Sequence, residues 1–405
     1  MTSKSSKLFA LGLFAFTVAA VVFYPAHQST ATITPTIIMP PVVNVINEQK
    51  PKVELVFVLD TTGSMSGLID AAKEKIWSIA TTMASAQPAP EISIGLVAFR
   101  DRGDAYVTQV TNLSTDLDSV YATLMDFKAD GGGDGPESVN KALYDAVNAV
   151  SWSQSQDVYK VAFLVGDAPP HMDYQDDIKY PDTLRVAQSK GIIVNAVQAG
   201  NSGVTTNEWQ LIAQLGAGDY FQVDQGGSAL AVVSPFDREL AELSAKLDDT
   251  RLYYGDEAEL VEKNRKVEAT KKINEAASLA SRARRAVFNA SASGEKNLLG
   301  GNELVDDVSS GRVDLDSIDR SKLPEPMLSM APAEQASLIK DVAENRKELK
   351  EKIKVLSDER SAYLKKQVEE MGSAKDDSLD MKLFGTLKTQ AKSKGMVYES
   401  DAPDY

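Results

Sequence analysis

The chain predicts an α/β fold, a doubly wound and mostly parallel sheet followed by a long helical extension. Three features carry this prediction. Short apolar runs rich in β-branched residues alternate with amphipathic stretches of helical spacing between Val53 and Leu247. Such runs suit strands buried on both faces, with helices covering each side of the sheet. After residue 250 the strand-like runs stop, and charged, Ala-rich helical patterns take over.

The elements follow in order. Val53–Leu59 (VELVFVL), between Pro51 and a Gly-containing turn, reads as the first strand. Ser66–Ala86 has Leu68, Ile69, Ala72, Ile76, Ile79 and Met83 on one helical face. Ile92–Phe99 and Tyr106–Val110 read as strands, and Leu117 to Phe127 and Val139 to Val150 as helices. Val158–Val165, a helix near 180–190, Ile192–Val197, a helix near 207–215 and Tyr220–Val223 continue the alternation, and Phe236–Leu247 closes it. The organisation expected is a signal peptide or membrane anchor over 1–25, a linker over 26–52, the α/β domain over 53–250 and a long helix over 251–292. A linker over 293–332, a helix over 333–371 and a disordered tail over 372–405 complete it.

Composition excludes several classes of function. Lys and Arg number 43 against 58 Asp and Glu, a net charge of −15. That balance opposes non-specific nucleic-acid binding, which rests on phosphate neutralisation by basic residues. Cys is absent, which excludes disulfide scaffolds, thiolate metal sites and Cys nucleophiles. With only His27 and His171 present, any metal must be held by oxygen ligands. At the N-terminus, Lys4 and Lys7 precede an apolar run from Leu8 to Tyr24, a cleavage-like Ser29-Thr30-Ala31 follows, and no further charge occurs before Glu48. The pattern predicts export, to the periplasm or cell envelope, with the domain tethered if the signal is not cut.

In a doubly wound sheet, ligands bind beyond the C-terminal strand ends, where the strand order reverses. Three clusters fall there. Asp60-Thr61-Thr62-Gly63-Ser64-Met65 follows the first strand and offers one carboxylate and two hydroxyls, a hard-oxygen set suited to Mg²⁺ or Mn²⁺. Simple helix capping by Asp60 and Thr62 is the competing role. Gly131-Gly132-Gly133-Asp134-Gly135-Pro136-Glu137 precedes a helix, where Asp134 and Glu137 could instead favour the helix dipole. Gly166-Asp167-Ala168-Pro169-Pro170-His171 follows the later strand. Its Asp167 is a third acid on the same edge, and His171 reads as a loop residue.

Together these clusters resemble the von Willebrand factor type A family and its metal-ion-dependent adhesion site. The resemblance covers Val53 to Leu247 and rests on Asp60-x-Thr62-x-Ser64, a third-loop residue before a helix, and Asp167. Many members carry Thr in the third loop, whereas the matching position here is Glu137. Asp134-Gly135-Pro136-Glu137 looks like the Asp-x-Pro-Glu of integrin β-chain I-like domains, where Glu is a metal ligand and the Asp can serve an adjacent cation. The resemblance implies Asp60, Thr62, Ser64, Glu137 and Asp167 as ligands of Mg²⁺ (or Mn²⁺ or Ca²⁺), with Asp134 a secondary candidate. It further implies a binding module, not an enzyme, whose metal takes a carboxylate from a protein partner.

Two alternatives belong to other classes. Asp60-Thr61-Thr62-Gly63-Ser64 also looks like the phosphorylation loop of haloacid-dehalogenase-type phosphatases and P-type ATPases, with Asp60 as nucleophile. That loop lacks its second Asp here, has no room for a cap, and neither Lys128 nor Lys160 sits in a recognisable motif. The other alternative is a helical scaffold with a vestigial metal site. In the extension, Val342, Leu349, Leu356 and Tyr363 recur every seven residues, while Ile353 shares the alternate register with Arg346 and Arg360. This narrow seam predicts a helical hairpin or coiled coil, within the chain or by self-association. Arg282, Arg284 and Arg285 read as a solvated face.

Overall fold

The computed structural model describes residues 50–133, 135–226, 233–370 and 379–400. Residues 1–49, where a leader and most of a linker are expected, and Asp134 lie outside the described residues. Six strands form one sheet: β1 (Lys52–Asp60), β2 (Glu91–Phe99), β3 (Thr108–Ser114), β4 (Tyr159–Gly166), β5 (Ile192–Ala199) and β6 (Ala217–Val223). Their order is β3-β2-β1-β4-β5-β6, all parallel except the antiparallel edge pair β2–β3. The edge strand begins two residues later than its sequence suggested and runs to Ser114, where it pairs with Ile94.

Alternation along β1 builds two cores. Val53, Leu55, Phe57 and Leu59 face a layer that includes α1 (Ser66–Ala84) and α2 (Leu117–Asp126). Val56 and Val58 face α3 (Val139–Asn148), α4 (Tyr180–Ser189) and α5 (Gly203–Leu215). Both faces of the strand are therefore dry, which is why its sequence is a continuous apolar run. The order reverses between β1 and β4, whose Leu59 and Val165 are register partners. Asp60 and the Gly166-Asp167 turn thus emerge side by side at the switch point.

The extension departs from its sequence reading in several places. α6 (Asp237–Asp248) closes the domain. The long helix expected over 251–292 is two helices, α7 (Glu257–Ala276) and α8 (Leu279–Ala290). The break falls where Ala277 turns extended and the Ser278 hydroxyl accepts from the Ser281 N–H. The stretch expected to be a linker, 293–332, holds α9 (Glu295–Leu299), α10 (Leu304–Ser309) and three short 3₁₀ turns. Its Leu304, Val305, Leu323 and Met327 form a small core with Ile339. The tail expected to be disordered contains α12 (Leu379–Lys392), with Leu383, Phe384, Leu387, Met396 and Tyr398 joining the core beneath β1.

α11 (Pro332–Glu370) packs within the chain against α6, α8 and α10. Its seam is occupied intramolecularly, so the two arginines are partners for buried acids and not defects in a coiled coil. Arg346 grips Glu303 with two hydrogen bonds of 3.0 Å and donates to the Thr250 carbonyl at 2.8 Å. Arg360 Nε donates to Asp237 Oδ1 at 2.8 Å. Burial alone would raise the Asp237 carboxyl, but hydrogen bonds from Ser234 and Arg360 hold it below its usual range.

The basic cluster is also corrected. Arg285 is fully buried and forks between Asp118 (2.6 Å) and Asp248 (2.7 Å), joining α2, α6 and α8. Arg284 is buried beside it. No helix among the described residues is long and apolar enough to cross a membrane.

Candidate functional site

β1 delivers Asp60 to the rim of the sheet, where its carboxylate is buried. The next residue is anchored, because the Thr61 N–H and hydroxyl both donate to the Phe99 carbonyl, at 2.8 and 2.9 Å. The chain then turns sharply, and Asp60 Oδ1 accepts from the Thr62 N–H (2.9 Å) and hydroxyl (2.6 Å). Thr62 Oγ1 lies 3.4 Å from Ser64 Oγ. Neither Thr62, ahead of the 3₁₀ turn, nor Met65, ahead of α1, makes a side-chain cap hydrogen bond among the described residues. Helix capping is therefore not what this loop does.

The third loop is folded over the first. Gly131 and Gly132 take φ of +79° and +83°, the left-handed region that favours glycine. The Gly63 N–H donates to the Gly131 carbonyl at 3.1 Å. A methyl group on Gly132 would stand 3.3 Å from both Glu137 Oε1 and Thr62 Cβ, so the two side chains border one small space. Glu137 is buried and pinned against the β4 loop, its N–H donating to the Pro169 carbonyl (2.9 Å) and its carbonyl accepting from the His171 N–H (3.0 Å).

Gly166 permits the third approach, since a Cβ there would lie 2.9 Å from Asp60 Cβ. Asp167 is half-buried; its carbonyl accepts from the Thr205 hydroxyl (3.1 Å), and Oδ2 accepts from Gln225 Nε2 (2.6 Å). The structure thus brings Asp60, Thr62, Ser64, Glu137 and Asp167 to one sheet edge. Asp134 lies outside the described residues.

The electrostatics are unbalanced. Burial pushes Asp60 up to about 7, with the Asp167 charge adding to the rise and the Thr62 hydrogen bonds opposing it. Burial pushes Glu137 up to about 9, reinforced by Asp60, Asp101, Asp104 and Asp167. Asp60 Oδ2 and Glu137 Oε2 are buried with no hydrogen-bond partner among the described residues. The nearby Arg100 is spent on the Thr61 carbonyl (3.1 Å) and the Lys128 carbonyl (2.9 Å). Buried acids normally carry a counter-charge, and these lack one among the described residues.

Among the described residues no three His, Cys, Asp or Glu side chains group closely enough to hold an ion by themselves. An ion would therefore draw on the two hydroxyls and on water as well, as hard cations that keep part of their hydration do. The set is all oxygen, and its deficit is positive charge, so the residues fit a divalent cation. For the phosphoryl-transfer alternative, Lys160 supplies no charge at this site, because it is the second residue of β4, at the strand end away from Asp167, and donates to the Lys190 carbonyl.

Sequence reasoning missed Asp101 and Asp104, which follow β2 on the same edge. Asp104 accepts from the Gly132 N–H at 3.1 Å, and Asp101 accepts from the Ser138 hydroxyl at 2.8 Å. Their signal is the one that marks Asp60 and Asp167, an acid just after a buried strand. His171 is a buried packing residue, stacked on Tyr174 at 4.0 Å with Nδ1 2.8 Å from Asp173.

Residues 54–232 match the family model of the von Willebrand factor A domain. Among individual proteins, a putative ariadne-like RING finger protein of Acanthamoeba polyphaga mimivirus is 26% identical over 119 residues, 29% of this chain. The match spans only 11% of that protein's length. Among solved structures, proximal thread matrix protein 1 from the mussel byssus aligns at 16% identity and TM-score 0.34, over 44% of this chain and 42% of its own. A form of that protein with a zinc-occupied MIDAS motif aligns at 17% and 0.34, over 43% and 42%. The SpRpn10 VWA domain aligns at 12% and 0.34, over 43% of this chain and 89% of its own.

Proposed function

We propose that this chain is a protein-binding module of adhesion or scaffold type whose recognition depends on a divalent cation, Mg²⁺ first and Mn²⁺ or Ca²⁺ as substitutes. Asp60, Thr62, Ser64, Glu137 and Asp167 would hold the ion, and Asp134 is a further candidate. The observation that supports this most is the pair of buried carboxylate oxygens on Asp60 and Glu137, unpartnered among the described residues and set among further acids, with Arg100 spent on main-chain carbonyls. Such a pocket is costly until a positive charge enters it.

When bound, the ion supplies an electrophilic point that accepts a carboxylate from a protein partner. The chain's own residues do the positioning. Asp60 fixes the Thr62 hydroxyl, Gly132 leaves room between Thr62 and Glu137, and the Pro169 and His171 main-chain bonds keep Glu137 on the rim. The partner's acidic side chain meets a negatively charged protein, so contact and not long-range attraction must supply the affinity. Residues 1–25 are read as the device that exports the domain to the periplasm or envelope and, if uncut, tethers it there.

The test is isothermal titration of Mg²⁺ and Mn²⁺ into the wild type and into Asp60→Ala. Saturable heat for the wild type, lost in the variant, is expected; equal heats would remove the site. A pull-down from envelope extract, repeated with EDTA, separates this role from a helical scaffold, whose captures chelation would not change.

A further inference from the structure

Between α8, α10 and α11 lies an open groove of about 630 Å³, wholly inside the helical extension. Its size is that of a ligand site. Val287, Ala290 and Ala343, all partly exposed, give it an apolar floor over the buried Val305 and Ile353, and Lys347, Lys350 and Lys354 line one wall. These lysines are spaced three and four residues apart on α11 and so share one face. The rim is locally basic in a chain of net charge −15.

The charges around the groove are unevenly spent. Arg346, also on the wall, is saturated by Glu303 and Thr250. Of the two acids on the walls, Asp306 is taken by Arg312, and Glu351 stands exposed. Lys350 is half-buried and makes no hydrogen bond or ion pair among the described residues; Glu295 and Asp306 act on it only at a distance. Burial holds its ammonium below the usual lysine range, as expected of a cation lacking a close counter-charge.

We infer that this groove docks an acidic peptide segment of a partner protein, with an apolar side chain against Val287, Ala290 and Ala343 and carboxylates on Lys347, Lys350 and Lys354. Seven residues of helix separate Lys347 from Lys354, about 10 Å along the axis. One headgroup cannot reach both ends of that row, whereas successive acids on a peptide can. The groove is independent of the cation site and needs no metal.

The experiment pans a display library of random 12-residue peptides on the full chain in EDTA. The most enriched peptide is then titrated by fluorescence polarisation. Enrichment of sequences pairing Asp or Glu with Leu, Ile or Val is expected. Affinity should fall at least tenfold in the triple variant Lys347→Glu, Lys350→Glu, Lys354→Glu and severalfold in Lys350→Met, a milder change that keeps the stem buried. It should be unchanged in Lys352→Glu, an exposed lysine outside the groove. Enriched peptides without excess acid, or equal affinity for wild type and triple variant, would overturn the assignment. So would binding of phosphatidylglycerol–phosphatidylcholine vesicles with the same lysine dependence, which would make the groove a membrane contact.

Discussion

Replacing Arg285 by Met tests how the extension is fastened to the sheet domain. The guanidinium is fully buried and makes hydrogen bonds of 2.6 Å to each oxygen of Asp118, 2.7 and 2.9 Å to Asp248, and 2.9 Å to Ser244. Methionine fills much of the volume but leaves two acids facing each other. Removing one member of a buried charge network costs about 3–5 kcal/mol. Here the lower half of that range is expected, because Lys266 stays 3.6 Å from Asp118 and Arg251 stays 3.5 Å from Asp248. At about 2 °C per kcal/mol for a unit of this size, the melting temperature should drop by about 6–8 °C.

The pH dependence follows from the direction of the Asp118 shift. Arg285 and Lys266 outweigh burial and hold this carboxyl well below its usual range. Its stabilisation is therefore complete above the unfolded carboxylate value of about 4 and is lost as pH falls below it. Thermal melts by circular dichroism should show the full gap between wild type and Arg285→Met at pH 7 and a narrowing gap below pH 4. A loss under about 1 kcal/mol at pH 7, or a coupling near zero in a double-mutant cycle with Asp118→Asn, would refute the reasoning.

Three further outcomes are expected. Asp60 at about 7 and Glu137 at about 9 bind protons more tightly folded than unfolded, so the chelated protein should lose stability as pH rises from about 4 toward 9. Mg²⁺ should then raise the melting temperature more at pH 8.5 than at pH 5.5, and a shift that is the same at both by scanning fluorimetry counts against the cation site. Gly166→Ala puts a methyl 2.9 Å from Asp60 Cβ and 3.0 Å from Oδ2, and should cost about 1–3 kcal/mol in urea while weakening Mg²⁺ binding in titration. Leu387→Ala, in α12, should cost about 2–5 kcal/mol by chemical denaturation, whereas a change under about 0.5 kcal/mol would mean that α12 is not part of the core.

The sheet was legible because its code is local. Val53–Leu59 announces a strand buried on both faces by composition alone, and acids directly after β1 and β4 are placed by the topology that such strands impose. The extension was less legible because its code is relational. Arg285, Arg346 and Arg360 look like surface residues until Asp118, Asp248, Glu303 and Asp237, distant in sequence, are seen to meet them. The turn at Ala277-Ser278 carries neither Gly nor Pro, so nothing announced a break between α7 and α8. In α12 a few apolar residues set among lysines were too sparse to reveal a core helix. The place of Glu137 ahead of its helix is legible along the chain, but its crowding with Asp101 and Asp104 arises only once β2 and the third loop converge.

Arg285, Arg346 and Arg360 set a practical boundary for anyone dissecting this molecule. A fragment trimmed to 53–250 would carry Asp118, Asp237 and Asp248 into solution stripped of Arg285 and Arg360, along with the oily underside of the sheet that α12 shields. Weak ligand binding by such a truncated piece would report its own instability, so material for binding work should run through Ser400.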